Sequence, residues 1–242
     1  METGYANPYV ENAVAKAAPS ERATFIKKTY LHLAGAIALF ALISAVLLQI
    51  PAVREIGLKM ATGWQWLIVM GLFMAVSFIA DRWAQSDTSR GTQYLGLGIG
   101  VLGWAVVFVP LLVIADFYSA RAGGTHLIAQ AGIITLCMVA GITAVALISK
   151  KDFSFLSGFL AVGGMVAIGV IIASIAFGFS LGTVFSGAMV VFASASILHT
   201  TSNIIHHYRT DQYVAASLAL FAGVALLFWY VLQILISLAS ND

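Results

Sequence analysis

The longest uncharged stretch of this chain runs from Phe153 to Tyr208 and contains no Lys, Arg, Asp or Glu. Two membrane spans of about 20 apolar residues fit within it, one on each side of a turn that begins at Gly178. The whole chain shares this character, since 61% of its 242 residues are hydrophobic and 9% are charged, against about 45–50% and about 25% in soluble proteins. We therefore predict an all-α integral membrane protein that crosses the bilayer several times.

Seven segments of the sequence are long and apolar enough to cross a membrane. Charged residues or prolines separate most of them, while only the turn at 178–183 separates the fifth from the sixth. We predict a seven-helix transmembrane domain over residues 30–242 and a cytoplasmic tail over residues 1–29, of which 1–24 are mobile or lie on the surface. The predicted spans are 30–50, 64–80, 94–115, 126–149, 153–179, 181–205 and 214–238.

The basic residues predict how these spans are oriented. Nine of the twelve Lys and Arg residues fall on the side of the N-terminal tail, and three fall on the opposite side. Cytoplasmic loops carry the excess of Lys and Arg, so we predict a cytoplasmic N-terminus and, with an odd number of spans, a C-terminus outside. The basic residues are too few and too scattered to indicate nucleic-acid binding.

A polar stripe ends the predicted sixth span. Ser196, His199, Thr200, Asn203 and His207 follow at i, i+3, i+4, i+7 and i+11, which places them on one face of a helix. Hydrocarbon offers no hydrogen bonds, so this face needs other helices, water or an ion as partners. Two interpretations of His199 follow: a group that gates a polar pathway against the seventh span, or a neutral packing histidine bonded to a backbone group or a Thr hydroxyl.

The sequence offers no catalytic or cofactor motif that fits its context. Residues 98–103 match the GxGxxG pattern, yet they lie within an apolar span with no soluble strand before it. The GxxxG pair of Gly96 and Gly100 favours close approach of two helices instead. Neither GxSxG nor HExxH is present, and all ten carboxylates lie outside the span centres. We expect neither enzymatic activity nor a bound cofactor.

The other histidines predict no metal site. His206 and His207 stand about 10 to 12 Å along the helix from His199, which is too far for a shared metal ion. His32 lies about one turn into the first span. It is either a packing residue or part of a vestibule.

Two motifs carry a family resemblance. The first is KKDFSFLSGFL at 150–160, which includes Lys151, Asp152, Phe153 and Ser154 of a predicted cytoplasmic loop, and the second is TSNIIH at 201–206. Together they resemble the Bax-inhibitor (transmembrane Bax inhibitor motif) family and its bacterial YccA-like branch. The resemblance implies a bundle in which six helices surround the seventh. It also implies one of two roles: a pH-sensitive leak for cations such as calcium, or a modulator of the membrane protease FtsH.

The chain departs from the leak-forming members at two positions. Those members carry one acidic residue near the end of the sixth span and another in the seventh, where this chain has Thr200 and Ala222. Two facing carboxylates are what would couple protonation to opening. We therefore expect a non-enzymatic inner-membrane protein that modulates FtsH, with the N-terminal tail as the segment that the protease engages. The alternative is a calcium or other cation leak, with these pore or gating candidates: Ser196, His199, Thr200, Asn203, Ala222 and His32.

Overall fold

The computed structural model describes residues 14–60, 64–86, 89–121, 126–149 and 151–240, and every regular element among them is a helix. A short 3-10 helix, Val14–Lys16, comes first. Seven of the α-helices, all except α2, are long and apolar enough to cross a membrane, which confirms the predicted seven-span fold. The α-helices are α1 (Pro19–Gln49), α2 (Pro51–Met60), α3 (Gln65–Ala84), α4 (Arg90–Arg121), α5 (Leu127–Ser149), α6 (Leu156–Phe177), α7 (Gly182–His206) and α8 (Tyr213–Ser240).

The last helix, α8, lies at the centre of the bundle. It packs against α1, α3, α4, α5 and α7, while α6 packs mainly against α7. The buried residues of α8 lie on several of its faces, as expected of an apolar helix enclosed by other helices. This agrees with the arrangement of six helices around the seventh, in which α6 joins the bundle through α7.

Aromatic rings fill the middle of the bundle. Phe108 of α4 stacks on Phe228 of α8 with ring centroids 5.4 Å apart, and it meets Trp229 edge to face at 5.0 Å. Phe40 of α1 lies 5.0 Å from Phe108 and 5.9 Å from Phe221. Stacked and edge-to-face rings attract each other beyond the effect of burial alone. These contacts join α1, α4 and α8 into one apolar core.

The first helix begins at Pro19, well before the predicted first span. Proline is tolerated in the first turn of a helix, and Glu21 there favours the positive end of the helix dipole, so the helix can begin outside the bilayer. Val14 is fully buried, and its N–H donates to the C=O of Tyr208 at 2.9 Å. Residues 14–29 are therefore ordered, with most of their side chains exposed, which corrects a mobile tail over that part and fits the surface-lying alternative; residues 1–13 lie outside the described part.

Further boundaries differ from the prediction, and α4 (Arg90–Arg121) extends beyond the predicted span 94–115 at both ends. Residues 51–60 form the surface helix α2, which is held by an ion pair between Arg54 Nη2 and Asp116 Oδ2 at 2.7 Å. A search for spans misses this helix because it is short and carries charges. The fifth span begins at Leu156 rather than at Phe153, because Phe153 bonds to α7 instead of continuing the helix.

Glycines account for two features that the sequence predicted. A Cβ at Gly96 would lie 2.6 Å from the C=O oxygen of Ala80 in α3, and one at Gly100 would lie 2.7 Å from Leu218 of α8. The GxxxG pair therefore permits close helix approach, as predicted. Gly178 ends α6 with a φ of 71°, a left-handed conformation that favours glycine, and the turn between the fifth and sixth spans is confirmed.

Candidate functional site

The two motifs that carry the family resemblance meet in space. Residues 151–155 lie between α5 and α6, and Phe153 among them lies against the end of α7. Its N–H donates to Ser202 Oγ at 2.9 Å, and its C=O accepts from His199 Nδ1 at 3.1 Å. Side chains of one helix thus satisfy both backbone polar groups of a loop residue. We call residues 151–155 in this position the docked loop.

The hydrogen bonds of His199 fit a neutral ring with both nitrogens bonded. Nδ1 carries the proton, because the C=O of Phe153 can only accept. Nε2 then accepts from Asn203 Nδ2 at 3.0 Å. This geometry agrees with the packing interpretation of His199. A gating role for His199 stays a prediction.

Asp152 organises the outer side of the docked loop. Its Oδ1 accepts from the N–H of Ser154 at 2.9 Å and from the Ser154 hydroxyl. Its Oδ2 lies 3.5 Å from His207 Nε2, which is also 3.1 Å from Ser154 Oγ. The hydrogen bonds from the Ser154 hydroxyl and then from its N–H lower the pKa of Asp152 to about 2, helped by the nearby imidazoles of His206 and His207. The ionised carboxylate is therefore part of the docked arrangement.

The cluster fits the docking of a loop and lacks the layout of a catalytic triad. Ser154 donates its hydroxyl proton to Asp152, so it does not offer that proton to His207. Asp152 and Ser154 also approach the same nitrogen of His207, whereas a Ser-His-Asp triad uses both ring nitrogens. Within the ranges that the structure describes, no three His, Cys, Asp or Glu side chains are placed to share a metal ion.

The predicted polar face of α7 is not directed as a whole at α8. His199 bonds to the C=O of Phe153 in the docked loop, and Asn203 bonds to His199. The contact between the two helices involves Ile197, whose Cγ1 would lie 2.9 Å from a Cβ at Gly223. The three other candidates on these helices are half-buried: Ser196, Thr200 and Ala222. Their role in a pathway stays a prediction.

His32 belongs to a separate cluster at the same end of the bundle. Its Nδ1 donates to the C=O of Lys28 at 2.7 Å, and its Nε2 accepts from the Tyr94 hydroxyl at 3.0 Å. Its ring centroid also lies 5.0 Å from that of Tyr213. His32 of α1 therefore packs against Tyr94 of α4 and Tyr213 of α8, and a vestibule role for it stays a prediction.

The sequence did not place Ser202 and His206 in the site. Ser202 Oγ lies 3.3 Å from His206 Nδ1 and 3.4 Å from Asp152 Oδ1. Both residues belong to the 201–206 motif, so the joint occurrence of the two family motifs was the signal available. The remaining member of the loop motif, Lys151, is exposed.

Comparison with known proteins agrees with the two motifs. The profile of the family described as inhibitor of apoptosis-promoting Bax1 (Bax1-I) matches residues 22–241. Bax inhibitor 1 of Schizosaccharomyces pombe is 28% identical, over 100% of this chain and 88% of that protein. The modulator of FtsH protease YccA of Escherichia coli is 31% identical, over 73% of this chain and 76% of that protein. An uncharacterized protein of Pseudomonas aeruginosa is 32% identical, over 70% of this chain and 71% of that protein. The chain therefore belongs to the Bax-inhibitor family of multi-pass membrane proteins.

Proposed function

We propose that this chain is a non-enzymatic protein of the bacterial inner membrane that modulates an FtsH-type membrane protease. Its similarity to YccA, whose name gives that role, supports this class of partner. The observation that carries the proposal is the docked loop, in which the family motif is fixed on the end of α7. A partner protein can bind such a surface without first ordering it, which lowers the entropic cost of association.

The centre of the bundle supports a modulator over a cation leak. Phe108 is fully buried among rings of α1 and α8. A cation that crosses a bilayer needs water or polar groups in place of its hydration shell. Thr200 and Ala222 also replace the two acids of the leak-forming members. The geometry of Ser154 and His207 supports the non-enzymatic part of the proposal.

The N-terminal segment offers the protease a second contact. Because Val14 is bonded to Tyr208, the part of the tail that a protease engages lies before Val14. A deletion of residues 2–24 would also remove Val14 and the first turn of α1. Deletion of residues 2–13 is therefore the cleaner variant, since every helix that the structure describes is kept.

The test measures how fast FtsH degrades a membrane substrate in bacterial cells that lack their own YccA-like protein. The cells carry the wild type, the deletion of residues 2–13, Ser202→Ala, or the control Ser194→Ala, whose hydroxyl donates within α7 to the C=O of Val190 at 2.8 Å. We expect the wild type and Ser194→Ala to change the half-life of the substrate. Ser202→Ala should lose most of this effect, and the deletion should weaken co-purification with the protease. A wild type that neither changes the half-life nor co-purifies with FtsH rules the proposal out.

A further inference from the structure

Two basic side chains converge on one aromatic ring where α1, α4 and α8 meet. Arg90 is the first residue of α4, and Tyr213 is the first residue of α8. The Tyr213 ring centroid lies 4.9 Å from Arg90 Cζ and 5.2 Å from Lys28 Nζ of α1. A ring attracts a cation through the negative charge density of its face, and it leaves the positive charge uncompensated. We call Lys28, Arg90 and Tyr213 the basic cluster.

Neither cation of the basic cluster has a carboxylate partner among the described residues. Arg90 donates to the C=O of Asp211 at 3.1 Å and to Gln93 Oε1 at 3.4 Å. The Asp211 carboxylate is bonded by Arg209, from Nε to Oδ1 and from Nη2 to Oδ2, at 3.1 Å each. These hydrogen bonds from Arg209 lower the pKa of Asp211. The Asp211 carboxylate, whose pKa the charge of Arg90 also lowers, is therefore already hydrogen-bonded by Arg209.

A groove runs from Lys28 along the first turns of α1. It has a volume of about 350 Å³ and lies between these turns and Thr210 of the α7–α8 loop. Glu21 is the one acidic residue that lines it, and no ion pair joins it to Lys28 among the described residues. The Thr24 hydroxyl donates to the C=O of Ser20 at 2.8 Å. The groove thus combines the ammonium group of Lys28, one of the two converging cations, with the hydroxyl groups of Ser20, Thr24 and Thr210.

The basic cluster lies where the bundle meets the membrane surface. Two spans, α4 and α8, begin at its residues, so their positive helix ends point toward it. Tyr213 is part of it and Tyr94 lies one turn further along α4, and tyrosines are enriched at the level of lipid headgroups. Basic pockets between spans bind anionic headgroups, and guanidinium groups suit phosphate oxygens in particular.

We propose that Lys28, Arg90 and Tyr213 form a binding site for the phosphate of an anionic phospholipid. Arg90 and Lys28 contact the phosphate oxygens, and the glycerol hydroxyls of a headgroup such as phosphatidylglycerol extend into the groove toward Thr210. Both ring nitrogens of His32 are already bonded, so His32 holds the cluster in place without contacting the lipid. The bound lipid joins α1, α4 and α8 at this end of the bundle.

The test is the thermal stability of the purified protein in detergent as phosphatidylglycerol is added. Phosphatidylcholine and inorganic phosphate are added in separate arms. We expect phosphatidylglycerol to raise the Tm, and Lys28→Gln with Arg90→Gln to raise the half-effective lipid concentration by about 10- to 30-fold, the attraction of two charges for an anionic lipid. The matched control is Lys27→Gln with Arg82→Gln, which removes the same charges from exposed positions at the same end of the spans. This control should keep the wild-type response.

Three outcomes would overturn the proposal. Equal weakening in both double variants would mean that only the general surface charge attracts the lipid. An equal Tm rise with inorganic phosphate would assign the site to a free anion. Equal Tm rises with phosphatidylglycerol and phosphatidylcholine would show that the site does not recognise the negative charge of the headgroup. If the double variant fails to fold, Lys28→Gln alone serves, since Lys28 Nζ makes no hydrogen bond among the described residues. Lys28→Arg with Arg90→Lys, which keeps both charges, should keep the preference for phosphatidylglycerol.

Discussion

At the scale of single residues, Ser202 holds a loop that lies outside its own helix. Its hydroxyl oxygen accepts a hydrogen bond from the N–H of Phe153, a residue that is distant in the chain. Ser202→Ala leaves this N–H without its partner, and losing such a bond costs about 1 to 3 kcal/mol where the donor is buried and less where water can replace the serine. We expect faster hydrogen exchange of the docked loop, as measured by mass spectrometry of peptides that cover residues 151–155.

The matched control for this prediction is Ser194→Ala. Ser194 lies in the same helix and donates to the C=O of Val190, so its loss leaves the docked loop bonded. Exchange in the loop should match that of the wild type. Equal acceleration in both variants would show that the loop responds to α7 as a whole and that the bond to Phe153 is not what holds it.

The acidity of Asp152 predicts how the docked loop responds to pH. Its pKa of about 2 lies below the ordinary value of 3.8. A carboxyl whose pKa is depressed by folding stabilises the folded state above its ordinary pKa, and this contribution is lost as the pH falls from about 4 toward about 2. Because the side chain is exposed, we expect the loss to stay below about 1 kcal/mol.

The measurement for Asp152 is a carboxyl titration followed by NMR, with Asp152→Asn to assign the signal. Ser154→Ala removes the hydrogen bond that lowers the pKa most, so the midpoint should move up toward 3.8. The wild-type loop should also exchange faster with solvent in the acid window, while Asp152→Asn should show no such step. A midpoint that Ser154→Ala leaves in place would contradict this account of the site.

At the scale of the helices, α3 and α4 cross with almost no space at Gly96. A Cβ there would lie 2.5 Å from the backbone nitrogen of Ala84, and backbone atoms cannot move aside as a flexible side chain can. We expect Gly96→Ala to destabilise the protein by about 1 to 3 kcal/mol, as overpacking does in well-packed cores. Gly98→Ala, which would meet nothing within 4 Å, should be neutral or slightly stabilising. Thermal unfolding in the same detergent compares the two, and equal Tm values would contradict this view of the crossing.

The sequence predicted the helices better than it predicted their ends and loops. Seven apolar runs were enough for the spans, and the pair of Gly96 and Gly100 was enough for a close crossing. Apolar length says nothing about a helix that begins in water, so the start of α1 at Pro19 was missed. The docked loop was also missed, because the bonds of Phe153 to Ser202 and His199 join distant parts of the chain. Such contacts depend on how α5, α6 and α7 are placed, which local patterns do not determine.

At the scale of the whole molecule, the two ends and the middle of the bundle differ in chemistry. One end holds the docked loop and the basic cluster, and the opposite end holds the ion pair of Arg54 with Asp116. The middle holds Phe40, Phe108 and Phe228 in mutual contact. The two polar ends of the bundle are therefore separated by an apolar, aromatic middle.

Ion flux through the protein tests this division directly. We expect liposomes that carry the folded protein to take up calcium and potassium no faster than empty liposomes, from about pH 5 to about pH 8, the range in which histidines titrate. The reason is that Phe108 is fully buried among aromatic rings, and such a core offers a cation nothing in place of its hydration shell. If flux does appear, Thr200→Leu distinguishes its source, because this variant removes a half-buried hydroxyl from the polar face of α7. If the protein shows more flux than empty liposomes and Thr200→Leu abolishes this flux, a cation leak along that face replaces the modulator proposal.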